Sequence, residues 1–249
     1  MSSPLSIEPV EGIPEIAAGD ALGKLIAAAA EPADGDVIVV AQKVVSKAEG
    51  MARRLAAVEP SDRARELASP LDKDPRLVEL ILGESERVVR SERVLIVETR
   101  SGLICANAGI DSSNVGGGSD EVLLLPRDPD ASARRLRAEI AADSGARVAV
   151  IVGDSFGRPW RVGQSEVAIG CAGIDPLADW RGRTDRDGRE LEATLIATAD
   201  QLAAAADLVR DKASGVPAVR IRGLAHLVTA EDGPGAVSLQ RERSEDLFR

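Results

Sequence analysis

The stretch Gly35-Asp-Val-Ile-Val-Val-Ala-Gln-Lys-Val-Val-Ser-Lys-Ala-Glu-Gly50 decides how the rest of the chain is read. The turn-forming residues Pro32-Ala33-Asp34-Gly35 come first. From Asp36 to Ala41 an apolar run follows without a break, which predicts a buried strand. Lys43 and Lys47 then interrupt an otherwise apolar segment. A lysine in such a place ordinarily lays its stem along apolar surface and keeps its ammonium in water. The chemical alternative is a point charge for a phosphate, with Ser46 beside Lys47 as a hydrogen-bond donor.

Outward from this strand, Asp20 is expected to cap a helix that runs to about Ala30. Helices are predicted from Ser61 to Ala68 and from Asp74 to Gly83, the second opened by the pair Asp74-Pro75. Val94 to Val97 and Leu103 to Ala106 flank Arg100-Ser101-Gly102 as a hairpin. A strand from Val122 to Leu125, a helix from Asp130 to Ser144 and a second buried strand from Val148 to Val152 follow. The strongest helical pattern runs from Glu190 to Asp211, where Leu191, Leu195, Leu202, Ala206 and Val209 fall near one face. Val216 to Ile221 reads as a last strand. No repeat or linker divides the chain, and helices and strands alternate only in part. The elements therefore predict a mixed α/β or α+β domain, with a doubly wound sheet allowed but not required.

Composition removes several functions. The chain has 249 residues, of which 31 are basic and 41 acidic, for a net charge of −10. A chain this long buries roughly three quarters of its unfolded surface and needs no disulfide or zinc to fold. It has two Trp, two Phe and no Tyr, so base stacking is nearly absent. With an isoelectric point near 4.8, a phosphate-tracking basic face is not expected, and nucleic acid is not an expected partner. His226 is the single histidine, which excludes a two-histidine zinc site within one chain, and it reads as structural. Cys105 and Cys171 sit in apolar surroundings without a Cys-x-x-Cys spacing and read as buried thiols in a reducing compartment. The first residues lack a basic start, and no apolar run is long enough for a bilayer. A cytoplasmic protein without membrane contact is expected.

Chemistry is expected where strands end. The chain has neither Gly-x4-Gly-Lys-Ser/Thr nor Gly-x-Gly-x-x-Gly after a strand. Two apolar strands instead run directly into an Asp-Ser pair: Leu103 to Ala106 leads to Asp111-Ser112, and Val148 to Val152 leads to Asp154-Ser155. Two carboxylates brought together repel unless a cation lies between them, and hard oxygen ligands select Mg²⁺ or Mn²⁺. The plain alternative is that each aspartate caps a turn. Both tryptophans and Arg158, Arg161 and Arg181 gather within Ser155-Phe-Gly-Arg-Pro-Trp-Arg-Val-Gly-Gln164 and Asp179-Trp-Arg-Gly182. Near an acidic pair, these arginines suit an anionic substrate; otherwise they are solvated loop residues.

As an ordered set, these segments resemble the coenzyme F420-0:L-glutamate ligases, also called coenzyme F420 γ-glutamyl ligases. The resemblance is carried by Gly12-Ile-Pro-Glu-Ile16, the run from Gly35 to Gly50, Asn107-Ala-Gly-Ile-Asp-Ser-Ser-Asn114 and the run from Gly153 to Gln164. Ala168-Ile-Gly-Cys-Ala-Gly173, Asp179-Trp-Arg-Gly182 and Ala203-Ala-Ala-Ala-Asp-Leu-Val-Arg-Asp-Lys212 extend it over nearly the whole chain. It implies one ligase domain over residues 1–249, of one or two lobes. The implied fold is α+β, with mixed sheets and packed helices, unlike a Rossmann or P-loop domain, in an intertwined homodimer. It also implies a GTP-dependent amide ligase that adds L-glutamate to coenzyme F420-0, and then a γ-linked glutamate, through an acyl phosphate.

By the same resemblance, Gly12, Ile13, Pro14, Glu15, Ser46, Lys47 and Asn114 would meet GTP. Asp111, Asp154 and Ser155 would hold Mg²⁺ or Mn²⁺, with K⁺ a further candidate ion, and Asp111, Asp154 and Lys47 would serve catalysis. Arg158 and Arg161 are assigned to substrate carboxylate or phosphate groups. The loop near Lys212 to Gly215 would add nucleotide or metal contacts. The run Gly116-Gly-Gly-Ser119 departs from the family pattern just after the metal loop. Two other readings use the same residues: a metal-dependent phosphohydrolase and a non-catalytic nucleotide-binding module.

Overall fold

The computed structural model describes residues 4–112, 120–210 and 215–246. In chain order the elements are β1 (Ser6–Val10), α1 (Leu22–Ala30), β2 (Val37–Ala41), α2 (Gln42–Ala48), β3 (Ala52–Arg54), α3 (Asp62–Ala68), α4 (Pro75–Gly83), β4 (Ser85–Arg90) and β5 (Ile96–Thr99). There follow β6 (Ile104–Ala106), β7 (Glu121–Leu123), α5 (Pro129–Ser144), β8 (Ala149–Arg158), β9 (Arg161–Ala172), β10 (Leu177–Asp179), β11 (Leu195–Ala197), α6 (Thr198–Asp207) and β12 (Ala218–Arg222).

The apolar run of β2 lies inside a five-stranded sheet of order β1-β12-β2-β8-β9. β2 pairs in parallel with β8, and the other pairs are antiparallel. Successive strand residues face opposite sides. Ile38 and Val40 meet Leu22, Ile26, Leu136 and Ile140 of α1 and α5. Val37 and Val39 meet Ala199, Leu202, Ala203 and Ala206 of α6. Because both faces are covered, the strand has no polar alternation. A smaller cluster outside this sheet joins α3 and α4 to the β4-β5-β6 sheet through Ala64, Val78, Ile81, Leu95 and Val97. The architecture is α+β with mixed sheets and packed helices, and the described residues form no closed barrel.

Local chemistry accounts for several helix ends. Ser61 Oγ accepts the Ala64 N–H (3.2 Å) and Asp74 accepts that of Arg76 (2.8 Å), with Pro75 in the first turn. Asp128 caps α5 by accepting the Ala131 N–H, and Gly145 ends it at φ 74°. Asp20 does not cap α1; its carboxylate accepts the Ala17 N–H instead (2.8 Å).

Two further expectations fail for identifiable reasons. The stretch after Val152 is not a loop: β8 and β9 form a long hairpin whose outer half is exposed and whose tip is Pro159-Trp160. Its glycines, proline and arginines imitate loop composition. The helix predicted from Glu190 to Asp211 is confined to α6, while Leu195 lies on β11 opposite Asp179 and is exposed. The spacing of Leu191 and Leu195 matched a helical period without a helix.

Cys105 and Cys171 are buried free thiols, each pushed up to about 12 chiefly by burial. His226 lies exposed on a turn whose Ala225 packs on Gly35, beyond the start of β2.

Gly170 on β9 has no room for a side chain: a Cβ there would lie 2.2 Å from the Pro129 carbonyl oxygen. Because that obstacle is backbone, Gly170→Ala should destabilise the fold by about 1–3 kcal/mol, read as a lower urea midpoint at unchanged slope. An unchanged midpoint would show that α5 is not seated on β9 in this way.

Candidate active site

One end of the sheet collects the expected functional segments. Its register runs across Val10, Ala218, Val40, Val152 and Gly170. The turn at residues 12–15 leaves after β1, α2 leaves after β2, and Asp154 lies two residues past Val152 on β8. The Ala41 N–H bonds the Pro217 carbonyl (2.8 Å), tying the entry to β12 into the same edge.

Asp111 reaches this edge by a backbone that few residues adopt. Asn107, Ala108 and Gly109 all have positive φ (54°, 55° and 67°), and Ala108 is buried. For the first two, this conformation costs energy that the surrounding structure must offset. Asp111 is then pinned to Leu123 by reciprocal backbone hydrogen bonds of 2.9 and 2.8 Å. Lys43 Nζ lies 2.8 Å from its carboxylate.

The two aspartates that the sequence singled out share one neighbourhood. Burial, joined by the like charges of Glu166 and Asp111, pushes the Asp154 carboxyl up to about 7. The Ser155 N–H, 2.9 Å from Asp154 Oδ1, and the Lys43 charge oppose that rise.

Sequence reasoning missed Glu166 and Arg210. Glu166 is 3% exposed, is ion-paired with the buried Arg210, and accepts the Ser155 hydroxyl (3.1 Å). Arg210 Nη1 has no hydrogen-bond partner among the described residues, which leaves a buried donor for an anionic oxygen. The signal was a lone glutamate at the head of the apolar run Val167-Ala168-Ile169. It becomes readable only once the hairpin register sets Glu166 opposite Ser155.

α2 connects this cluster to the turn at residues 12–15. Lys43 and Lys47 are four residues apart, so they share a helix face about 6 Å apart along the axis. Lys43 pairs with Asp111, and Lys47 pairs with the exposed Glu15 at 2.5 Å. Gly12 takes φ 81°, while Ile13 is half-buried and Pro14 exposed. Ser46 is fully buried, and its Oγ accepts the Gln42 side-chain amide (2.7 Å). Asn114, Lys212 and the Gly116 to Ser119 run lie outside the described residues.

Arg158 and Arg161 face each other across the hairpin tip, both exposed. Arg158 donates to the Val162 and Gly163 carbonyls. Four residues of strand, about 13 Å, separate Arg158 from Asp154. Arg181 bonds its neighbour Asp179, and Arg183 lies over Trp180 at 4.9 Å. These contacts are local to the hairpin tip and to the β10 region.

The residues fit a hard divalent cation. Burial is the main cause of the raised Asp154 carboxyl, with the like charges of Glu166 and Asp111 adding to it. Asp111, Asp154 and the Ser155 hydroxyl supply only oxygen donors, the serine from the other face of the strand. Among the described residues no three His, Cys, Asp or Glu side chains already stand as a ligand set. Magnesium-like ions commonly bind through one or two carboxylates, with the remaining positions taken by water and substrate phosphate.

The family model for F420-0:Gamma-glutamyl ligase matches residues 12–223. The coenzyme F420:L-glutamate ligase of Methanothermobacter thermautotrophicus is 46% identical over 98% of this chain and 99% of its own length. That of Methanopyrus kandleri is 47% identical over 98% of each, and that of Archaeoglobus fulgidus 44% over 98% and 96%. A sheet-end site of this kind, matched along nearly its whole length, places the chain in a ligase family. The chain belongs to the F420-0:gamma-glutamyl ligases.

The metal-free protein should carry a pH signature from Asp154. Its folded carboxyl keeps a proton up to about pH 7, whereas the unfolded one releases it near about 3.9. Between those values the folded state binds the extra proton, so this contribution to stability is full at the acid end and lost as pH rises. Asp154→Asn should therefore gain thermal midpoint over wild type at about pH 8 relative to about pH 5. A difference that stays constant across this range would contradict the buried carboxylate cluster.

Proposed function

We propose that this chain joins L-glutamate to coenzyme F420-0 through an amide bond and then adds a γ-linked glutamate, cleaving GTP to GDP and phosphate. Its family and the names of its relatives support the ligation. The observation that carries the reading is the convergence of Asp111 and Asp154, with Lys43 paired to Asp111 and the Lys47–Glu15 contact one helical turn away.

A carboxylate is a poor acyl donor because its oxygen leaves badly. Attack of that oxygen on the γ-phosphoryl group gives an acyl phosphate; the glutamate amine then attacks the acyl carbon and phosphate departs. The chain's residues have to gather three anions on an acidic protein. Lys47 exchanges the exposed Glu15 for a phosphate, and the positive-φ turn at Gly12 lets backbone approach the nucleotide closely. Asn114 completes the nucleotide contacts in this reading, while Ser46, fully buried and bonded to the Gln42 amide, supports α2 from inside rather than meeting the nucleotide as the sequence suggested. Asp111, Asp154 and Ser155 would hold Mg²⁺ or Mn²⁺, which supplies charge stabilisation at the phosphoryl oxygens. Holding amine and acyl group together removes about 7–11 kcal/mol of barrier.

In this reading Arg158 and Arg161 grip substrate from a second copy of the chain, since their hairpin tip reaches outward with Trp160 and Val162 exposed. The working unit is a homodimer, and the reaction is cytoplasmic. No helix among the described residues is long and apolar enough to cross a membrane.

The test is incubation with GTP, Mn²⁺ or Mg²⁺, K⁺, L-glutamate and coenzyme F420-0, read by mass spectrometry for a product heavier by one glutamyl unit. Asp154→Asn and Asp111→Asn should each lower kcat by about 10²-fold or more. Phosphate release without the glutamyl product would replace this reading with a phosphohydrolase, and nucleotide binding without turnover would replace it with a binding module.

The second-copy assignment has its own check. Co-expressed Arg158→Ala and Asp154→Asn chains should recover about a quarter of wild-type activity, because half the dimers are mixed and each has one intact site. No recovery would confine both residues to one chain's site.

A further inference from the structure

Ser155 and Glu166 owe their meeting to a β-bulge. Val152 pairs with Gly170, but the next pair is Gly153 with Ala168, so Ile169 is an extra residue on β9. Without it, Ser155 would face Val167; with it, Ser155 faces Glu166. The bulge is held from outside the sheet, for Asp200 Oδ1 accepts the Ala168 N–H at 2.9 Å. Space is made by Gly153, where a Cβ would lie 2.6 Å from Glu166 Oε1.

A serine hydroxyl has one proton and two lone pairs, and an ionised carboxylate only accepts. At 3.1 Å from Glu166 Oε2, Ser155 must therefore donate its proton there, which leaves its lone pairs free on the other side. Arg210 donates to the opposite oxygen, Oε1, and holds the buried Glu166 carboxylate aligned. An oxygen that binds a cation must point its proton away from it, and outer partners commonly fix that orientation.

We propose that Glu166 is a positioning residue of the cation site: it accepts the Ser155 hydroxyl hydrogen bond, with Arg210 holding its carboxylate in place, so that the serine oxygen presents a lone pair to the metal. This rests on the reading that Ser155 binds a divalent ion, and its test reads Mn²⁺ binding rather than ligation. In Glu166→Gln the amide oxygen turns to Arg210 and its NH₂ donates to Ser155, which takes up one serine lone pair and turns the hydroxyl proton toward the side where the metal binds.

Mn²⁺ is titrated into the metal-free full chain and the free ion followed by electron paramagnetic resonance. Glu166→Gln should weaken binding about 10- to 100-fold. Ser155→Ala should weaken it similarly, and adding Glu166→Gln to Ser155→Ala should cost little more. Glu166→Asp, which keeps the charge toward Arg210 but shortens the reach to Ser155, should behave like Glu166→Gln and serves if the latter fails to fold. A loss on Glu166→Gln that persists undiminished beside Ser155→Ala would make Glu166 a direct ligand and overturn the positioning role. Unchanged affinity in Glu166→Gln and Glu166→Asp would overturn it as well. A wild-type chain that binds no Mn²⁺ would overturn the cation reading beneath it, whatever the ligation assay gives.

Discussion

The parallel pairing of β2 with β8 is the constraint on which the site depends. Two parallel strands deliver their following residues to the same edge of a sheet, whereas antiparallel neighbours send them to opposite edges, about 17 Å apart for a five-residue strand. Here the segment after β2 is α2, with Lys43 and Lys47, and the residues after Val152 are Asp154 and Ser155. A parallel pair needs a long crossover, and the chain uses it to build the small α3–α4 unit and return Asp111 to the same edge. β1 and β12 complete the edge by ending and beginning there, respectively.

Electrostatics then sets what that edge can accept. Asp111, Asp154 and Glu166 face two protein cations, Lys43 and Arg210. Burial alone would drive a carboxyl to its neutral form, and like charges push the same way. A divalent cation would reverse both pressures at once, which is why a cluster that is unfavourable without one still suits a nucleotide-handling enzyme under the ligase reading. Ion pairs such as Lys47–Glu15, with one partner largely exposed, hold little energy and exchange readily for a phosphate.

Much of this was legible in the sequence, and the exceptions share a cause. β2 and the inner half of β8 were plain because both faces are buried, leaving runs of Val and Ile without alternation. The Asp-Ser pairs were plain because an apolar run gives way to an acid within a few residues, although β8 itself continues past Asp154. The outer half of β8 and most of β9 were not, since an exposed arm has no core to impose a pattern and carries the Gly, Pro and Arg of a loop. Missing that hairpin hid Glu166, whose importance is a matter of register rather than local context. Lys43 was passed over for Lys47 because both interrupt the same segment; only the partner of each, Asp111 or Glu15, tells them apart. Leu195 misled for the opposite reason: its helical spacing was real and its helix was not.

The tandem Asp154-Ser155 can be understood from strand geometry. Adjacent residues of a strand point to opposite faces, so a dipeptide within a strand offers one donor to each side. Asp154 lies on the face opposite Ser155 and feels the charges of Glu166, Asp111 and Lys43, while Ser155 faces Glu166, its register partner, and through it Arg210. The bulge at Ile169 matters because a shift of one residue would exchange these faces and set Val167 against the hydroxyl. An acid-hydroxyl pair on a central strand can thus serve two groups of partners from a single backbone anchor, provided that its neighbour strand carries one extra residue to bring the second carboxylate into line.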